Sequence, residues 1–572
     1  MGWISRSMMI LFVSCTLTAL AQEKEPWEKE TGEGEIVDVE IEIVKDRKIV
    51  LPRAVRNFEK IPPRPFEPIK PAITYELKNF QFATPSYRPS VRPLKLKQEE
   101  LSKIYGNYVS GGLGNYGSFY LEGSMTTKRD KDKFLGAHLY TRSFASGPVD
   151  DKNSASATTN LQVFGKSTGK VLTATGEANY DVRSGYFYGY VPDGSGVEVN
   201  RDRIRQVYTT YGANIGLENT RVSDFNYTLK AGYSYLQDFY HAREGEASFV
   251  FNSAYKINDN TKFILDADYF LINRQDSLVS QTRHLFRVKP AYQFNPIDKL
   301  VLTAGANIAI SSDQYPGSKD FHFYPHVKAQ YELSPSFEAY GIVTGDMDKV
   351  NLHSISAENM WVASNSISVS NNFFNTNRSL EFKGGINGKV GRKVAVGAGV
   401  SVAALKNFYY YGVLGSNANP AHQPLPAFMN SFYLMYDGNT RRINPFAEIS
   451  YAEAETFKLS VRGDYFKYST EDLPGPSQRP TYRISATSLY NIFDKISLEA
   501  GFIAQGGMKV YGAGSSIALD PAFDLNVKTR YFISKQFSAF VMLNNILGNN
   551  YPLYLGYPAR GFQVLGGVSW SF

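Results

Sequence analysis

The sequence predicts an all-β fold, a transmembrane antiparallel barrel of about 22 strands preceded by an extended Pro-rich arm. Three observations carry this expectation. Apolar and polar residues alternate with period two through most of the chain, turn residues punctuate the alternation at intervals of 10 to 16 residues, and the connections are alternately short and long. The composition agrees, because 39 Tyr, 38 Phe and 47 Gly occur in 572 residues at a mean hydropathy of −0.29. After residue 21 no run approaches the roughly 18 apolar residues that a spanning helix requires, so any membrane crossing falls to strands.

The alternation is clearest in Phe523 to Tyr531. There Phe523, Leu525, Val527, Thr529 and Tyr531 are interleaved with Asp524, Asn526, Lys528 and Arg530. Successive strand side chains point to opposite faces, so one face suits lipid and the other water. Leu459, Val461 and Tyr465 against Lys458, Arg462 and Asp464 repeat the pattern, as do Phe263, Leu265 and Tyr269 against Lys262, Asp266 and Asp268. Lys458, Arg462, Asp464, Asp524, Lys528 and Arg530 are therefore expected to face a lumen.

Counting from Ile104 gives about 22 segments, and every second connection is short: Ser167-Thr168-Gly169, Asp259-Asn260, Asn295-Pro296-Ile297-Asp298, Ser334-Pro335-Ser336, Gly391-Arg392 and Ser534-Lys535-Gln536. Long irregular connections near 191–204, 348–376, 413–430 and 506–521 belong to the other end, expected to be the cell exterior. An even strand count leaves both barrel ends in the periplasm. The aromatic clusters Tyr186-Phe187-Tyr188 and Phe408-Tyr409-Tyr410-Tyr411 near the outer ends of strands read as an interfacial girdle, with a stacking platform for sugars or flat ligands as the alternative.

The amino-terminal stretch reads as a signal peptide over residues 1–21: Arg6 is the positive flank, Met8 to Leu20 the apolar core and Ala19-Leu20-Ala21 the cleavage site. A lipoprotein site at Cys15 is the competing reading, and it leaves a shorter apolar core. With cleavage after Ala21 the single cysteine departs, which removes disulfide, thiolate-metal and cysteine-nucleophile chemistry. Residues 22–103 form a charged arm, periplasmic or lumenal, that holds ten of the 27 prolines and favours extended conformations. Within it Glu35 to Ile43 alternates, and Ile36, Val37, Val39, Ile41 and Ile43 mark a strand able to pair with a partner. The barrel is assigned to 104–572.

The formal charge of +7 is spread without a Lys/Arg block, so nucleic-acid binding has no support, and the cations suit anionic lipid head groups or a lumen. Gly112-Leu113-Gly114-Asn115-Tyr116-Gly117 has the spacing of a dinucleotide motif, yet a strand follows it where a helix is needed, so it predicts a hairpin. Gly165-Lys166-Ser167-Thr168-Gly169 predicts a turn. His322 and His326 share a strand face about 13 Å apart, too far for one metal ion. The seven histidines are scattered, and neither a catalytic constellation nor a cofactor site emerges.

Leu543-Asn544-Asn545-Ile546-Leu547-Gly548-Asn549-Asn550-Tyr551, then Gly556-Tyr557-Pro558-Ala559-Arg560-Gly561-Phe562 and the strand closing on Phe572, resemble the end of TonB-dependent receptor barrels. The resemblance implies an outer-membrane barrel of Bacteroidetes type that takes up a ligand with inner-membrane energy. It also implies a TonB-type energising protein as partner to the Ile36–Ile43 stretch, and an insertion signal for the barrel-assembly machinery at Trp570 and Phe572. The chain departs from the family where a globular plug should precede the barrel, because only the Pro-rich arm stands there. The arm, inward-folded external loops or a separate protein must then fill a wide lumen. Solute uptake and a non-conducting structural or assembly barrel that docks surface lipoproteins are the two functional readings.

Overall fold

The computed structural model describes residues 105–572 except 129, 191–198, 278–279, 316, 365–371, 415–430 and 512–514. The signal peptide, Cys15, the arm and the Ile36–Ile43 strand lie outside the described residues, as do parts of the long connections near 191–204, 348–376, 413–430 and 506–521.

Twenty-two antiparallel strands, each hydrogen-bonded to the next, run from Asn107–Gly114 to Gln563–Ser571. The ring closes because the first strand pairs with the last, Tyr108 opposite Ser571 and Val109 opposite Trp570. A further segment of the sheet, Lys467–Ser469, continues strand Phe457–Tyr465 beyond Phe466, and both pair with strand Thr440–Glu453. Three two-stranded ribbons stand outside the barrel sheet: Phe408–Leu414 with Ser431–Asp437, Lys509–Tyr511 with Ser516–Ala518, and Pro552–Tyr554 with Tyr557–Pro558. Among the described residues no helix is long and apolar enough to cross a membrane.

Period-two alternation decides which face is which. Ile215, Phe249, Phe323, Phe382, Ile449 and Val568 are all exposed, whereas their neighbours turn inward, as Ser569 does toward Ser110 with hydroxyl oxygens 2.8 Å apart. A soluble sheet would bury such an apolar face. Here it encircles the outside of the ring, the arrangement a hydrocarbon solvent requires.

The short turns gather at one end, where Phe572 N–H also donates to the Asn107 carbonyl at 2.9 Å. Both ends of the barrel chain therefore meet at the short-turn rim. One turn moves along the chain, to 169–171, and another is shorter than expected from the sequence. Strand Ser156–Thr168 absorbs the residues through Thr168 and strand Ser280–Ile297 those through Ile297, the latter by a register shift between Phe294 and Ile297. The expected hairpin at Gly112–Gly117 is present: strands Asn107–Gly114 and Ser118–Thr126 join through Tyr116 and Gly117 at φ 56° and 58°.

Candidate functional site

Inside the ring, one arc of the wall is an ion-pair lattice. Arg287 contacts Asp268 at 2.7 Å, Lys289 contacts Asp346 at 2.5 Å, and Arg378 contacts Glu381 at 2.6 Å. Arg287 and Asp268 are directly opposed on adjacent strands and so share a face. Lys289 reaches Asp346 across two intervening strands, and Arg378 and Glu381 lie three residues apart on one strand.

The same arc anchors the long connection that follows strand Phe337–Asp348. Lys349 reaches Glu246 at 2.5 Å, and Asn351 Nδ2 donates to Glu246 at 2.6 Å. Asn351 then caps the short helix Leu352–Glu358 with a reciprocal capping box. The Glu244 carboxylate accepts the N–H groups of Leu352 at 2.9 Å and His353 at 3.0 Å, placing negative charge where a helix start leaves donors unpaired. Arg283 pairs with Asp313 at 2.8 Å and donates to the Val350 carbonyl at 2.8 Å and the Asn375 side chain at 2.9 Å. Both ends of the connection are thus bound to the wall.

From there the connection crosses the mouth. Ser356 O accepts from Arg183 at 2.9 Å, Trp361 Nε1 donates to Tyr186 O at 3.0 Å, and Tyr554 OH donates to Glu358 O at 3.1 Å. Arg479 pairs with Glu358 at 2.7 Å and lies 4.7 Å from the Tyr409 ring centre. Burial pushes the Tyr409 phenol up to about 12, so it remains a donor to Glu358. The ribbon strand Ser431–Asp437 adds a parallel bridge from Phe432 to Val362.

These segments enclose an aromatic core. Trp361 lies 4.3 Å from Tyr557 and 5.6 Å from Tyr188, and Tyr557 lies 4.9 Å from Tyr188. Gly556 serves the tight entry to Tyr557 with φ 80°. The cap therefore has a packed interior of its own, contributed by connections from around the ring.

This corrects the reading of the aromatic clusters as a girdle. Phe187, Tyr188, Tyr410 and Tyr411 are buried, all but Tyr410 in the cap core, because the chain folds inward where the strands end. Outward aromatic pairs instead mark the short-turn rim: Phe225 with Tyr227, Phe457 with Tyr490, and Phe537 with Trp570 stacked at 6.0 Å.

The residues singled out from the sequence fall on the other arc. Arg462 binds Asp464 at 2.8 Å and Glu448 at 2.9 Å, and Asp524 accepts from Tyr551 OH at 3.0 Å. Lys458 and Lys528 border one cavity of ≈ 730 Å³, whereas Arg530 borders another of ≈ 430 Å³. The register from Lys458 through Leu489 and Glu499 to Lys528 puts them on one sheet face. Trp570 packs against Phe572 at 4.4 Å beside the closure. His322 and His326 bond to Lys319 O and Thr344 Oγ1, and no metal-binding group is found among the described residues. Sequence reasoning missed Glu244, Arg283, Trp361 and Arg479, which are spread along the chain. The acidic period-two pair Glu244 and Glu246 at a strand start is the one local signal.

Burial, reinforced by the Arg183 charge, holds the His353 imidazole below its usual range against the pull of Glu246. The neutral ring belongs to the closed cap, so this contribution is complete above the unfolded value near 6.5 and is lost as pH falls toward the lowered one. Amide exchange in the cap should accelerate between pH 7.5 and 5 after correction for intrinsic rates. His353→Gln should flatten that dependence, and an unchanged slope would remove His353 from the account.

No protein-family model matches the chain, and no curated protein matches it. Solved structures do. The siderophore receptor PirA from Acinetobacter baumannii aligns at TM-score 0.62 with 10% identity over 83% of this chain and 81% of its own. The FrpB iron transporter from Neisseria meningitidis aligns at 0.61 with 10% identity over 82% of each chain. FpvA of P. aeruginosa bound to pyoverdines aligns at 0.60 with 12% identity over 83% and 72%. At these identities the likeness is one of fold, and the chain has the barrel fold that PirA, FrpB and FpvA share.

Proposed function

We propose that this chain is an outer-membrane barrel that takes up a solute in the manner of a TonB-dependent receptor. The observation that carries the reading is the mouth: the long-loop end is covered by inward-folded connections that are ion-paired to the wall beneath them. A gated pathway needs such a cover, and a wide lumen otherwise admits water and small solutes. The lumen-side charges, Lys458, Arg462, Asp464, Asp524, Lys528 and Arg530, line the pathway in this reading. The short-turn rim, with both barrel ends, faces the periplasm, and the arm at 22–103 extends there or into the lumen. Strand addition through Ile36, Val37, Val39, Ile41 and Ile43 couples the barrel to a TonB-type protein, and Trp570 with Phe572 directs insertion.

The test is isolation of the native complex from membranes. A bound nutrient together with a TonB-type partner is the expected result. Stable surface lipoproteins or assembly factors with no solute would favour the docking alternative. Removing residues 36–43 should abolish accumulation of that nutrient by cells while leaving its binding intact, and undiminished accumulation would exclude the coupling role.

A further inference from the structure

Charges along the wall are unevenly satisfied. On the arc that anchors the cap, Arg283, Arg287, Lys289, Lys349 and Arg378 meet carboxylates, as Arg462 does on the other arc. On the arc around the closure, Arg142, Arg560, Lys458, Lys528 and Arg530 have no carboxylate within ion-pair distance among the described residues. Arg560 donates only to neutral acceptors, Ser146 O at 3.1 Å, Ser154 O at 2.7 Å and Ser156 Oγ at 2.9 Å. Its guanidinium and that of Arg142 lie 4.4 and 4.9 Å from the centre of the same Phe144 ring. Arg142 Nε is buried without an acceptor, and Asp524 Oδ1, Asn544 Nδ2 and Asn545 Oδ1 around the same space are also unpartnered.

These groups border neighbouring cavities. A cavity of ≈ 280 Å³ beneath the cap holds Arg142 and Arg560. It shares Asn526 and Asn544 with the ≈ 730 Å³ cavity of Lys458 and Lys528. That cavity shares Lys528 with the ≈ 430 Å³ cavity of Arg530, which reaches the turn Ser534-Lys535-Gln536. The series runs from the capped mouth to the short-turn rim. Against these five cations stand three acids: Asp524 in the first cavity, Glu499 opposite Lys528 in the second, and Glu122 in the third, the last already bonded by Tyr108, Tyr120 and His138.

We propose that this arc is a binding track for a multiply charged anionic solute, held first between Arg142 and Arg560 and passed along Lys458, Lys528 and Arg530. Arg142, Arg560, Lys528 and Arg530 are partly shielded from water and Lys458 is exposed, and a ligand bringing carboxylates or phosphates supplies the acceptors that the partly shielded cations lack. Guanidinium groups offer forked donors matched to such oxygens, while Asn526, Asn544 and Asn545 add neutral hydrogen bonds. Several cations of modest reach, separated by amides, allow entry without trapping. A neutral or cationic solute leaves the same charges unmet. The inference rests on the uptake reading and names its substrate class.

Calorimetric titration of the full chain in detergent at low salt tests it, with citrate, pyrophosphate, maltose and spermidine as probes. Saturable binding of citrate or pyrophosphate is expected, and which of the two binds separates carboxylate from phosphate recognition. Affinity should fall about tenfold or more in Arg142→Gln and in Lys528→Gln, partly recover in Arg142→Lys, and stay unchanged in Lys393→Gln on an exposed turn. Heat-modifiable gel migration identifies variants that fold. The proposal is overturned if neither anion binds saturably, if maltose or spermidine binds as well, or if folded Arg142→Gln binds like the parent. A neutral nutrient recovered with the native protein would sink the anionic track and leave uptake standing. Anion binding without accumulation in cells would do the reverse.

Discussion

Replacing residues 350–374 by a short Gly-Ser linker raises single-channel conductance in planar bilayers by about tenfold or more, since a 22-stranded ring encloses a lumen much wider than hydrated ions. The barrel survives the excision because the described residues of the connection contribute nothing to the barrel ladder, and Asp348 still pairs with Thr376. What is lost is the helix on Glu244, the Arg183 contact to Ser356, and Trp361 from the aromatic core. The remaining aromatics, Tyr188, Tyr557 and Phe432, then lose their central partner and their packing loosens. Conductance equal to that of the intact chain would show that this connection does not close the mouth.

A single substitution has the second largest effect. Arg283 and Asp313 are 3% and 4% exposed at the side chain, and Arg283 also holds Val350 O and Asn375. Arg283→Met leaves the Asp313 carboxylate with the Asn375 backbone N–H, donating at 2.6 Å, as its main remaining partner. Removing one member of a buried pair costs about 3–5 kcal/mol, most of it the stranded charge. The loss should appear as easier opening of the cap in native-state hydrogen exchange, with the strand ladders unaffected. Arg283→Met combined with Asp313→Leu should recover much of it, because the stranded charge is gone. A change below about 1 kcal/mol in the single variant would mean that the pair does not secure the cap.

How far the sequence speaks depends on whether a feature is periodic. The strand Ala522–Phe532 was legible because one side faces hydrocarbon and the other water, and those two demands write an alternation into adjacent residues. The turn at Asp259-Asn260 was legible for a similar reason, since the chain reverses there with residues that suit reversal. The inward course of 349–364 was not. Its anchors Glu244, Arg283 and Arg479 are each one residue in a strand or loop, and their partners are 67 to 121 positions away. The aromatic clusters misled because Tyr and Trp satisfy an interface and a packed cap core equally well: both offer an apolar body with a polar tip. Charge type was legible on Lys458 and Lys528, but whether each has met a counter-ion depends on strand register, which composition does not encode.

The pairing of Val109 with Trp570 also sets the order of events in assembly. Ser110 and Ser569, now bonded, are 459 positions apart, so this contact forms only after the strand Gln563–Ser571 has been made. Bringing such distant ends together costs about 3 kcal/mol more entropy than closing a ten-residue hairpin, and until then the sheet carries two raw edges able to recruit other chains. High contact order slows this step, which prolongs the exposure. A chain truncated before Gln563 would keep every other hairpin yet remain permanently open-edged. The closing strand thus acts as a quality checkpoint, separating finished molecules from aggregation-prone ones at the last step of folding.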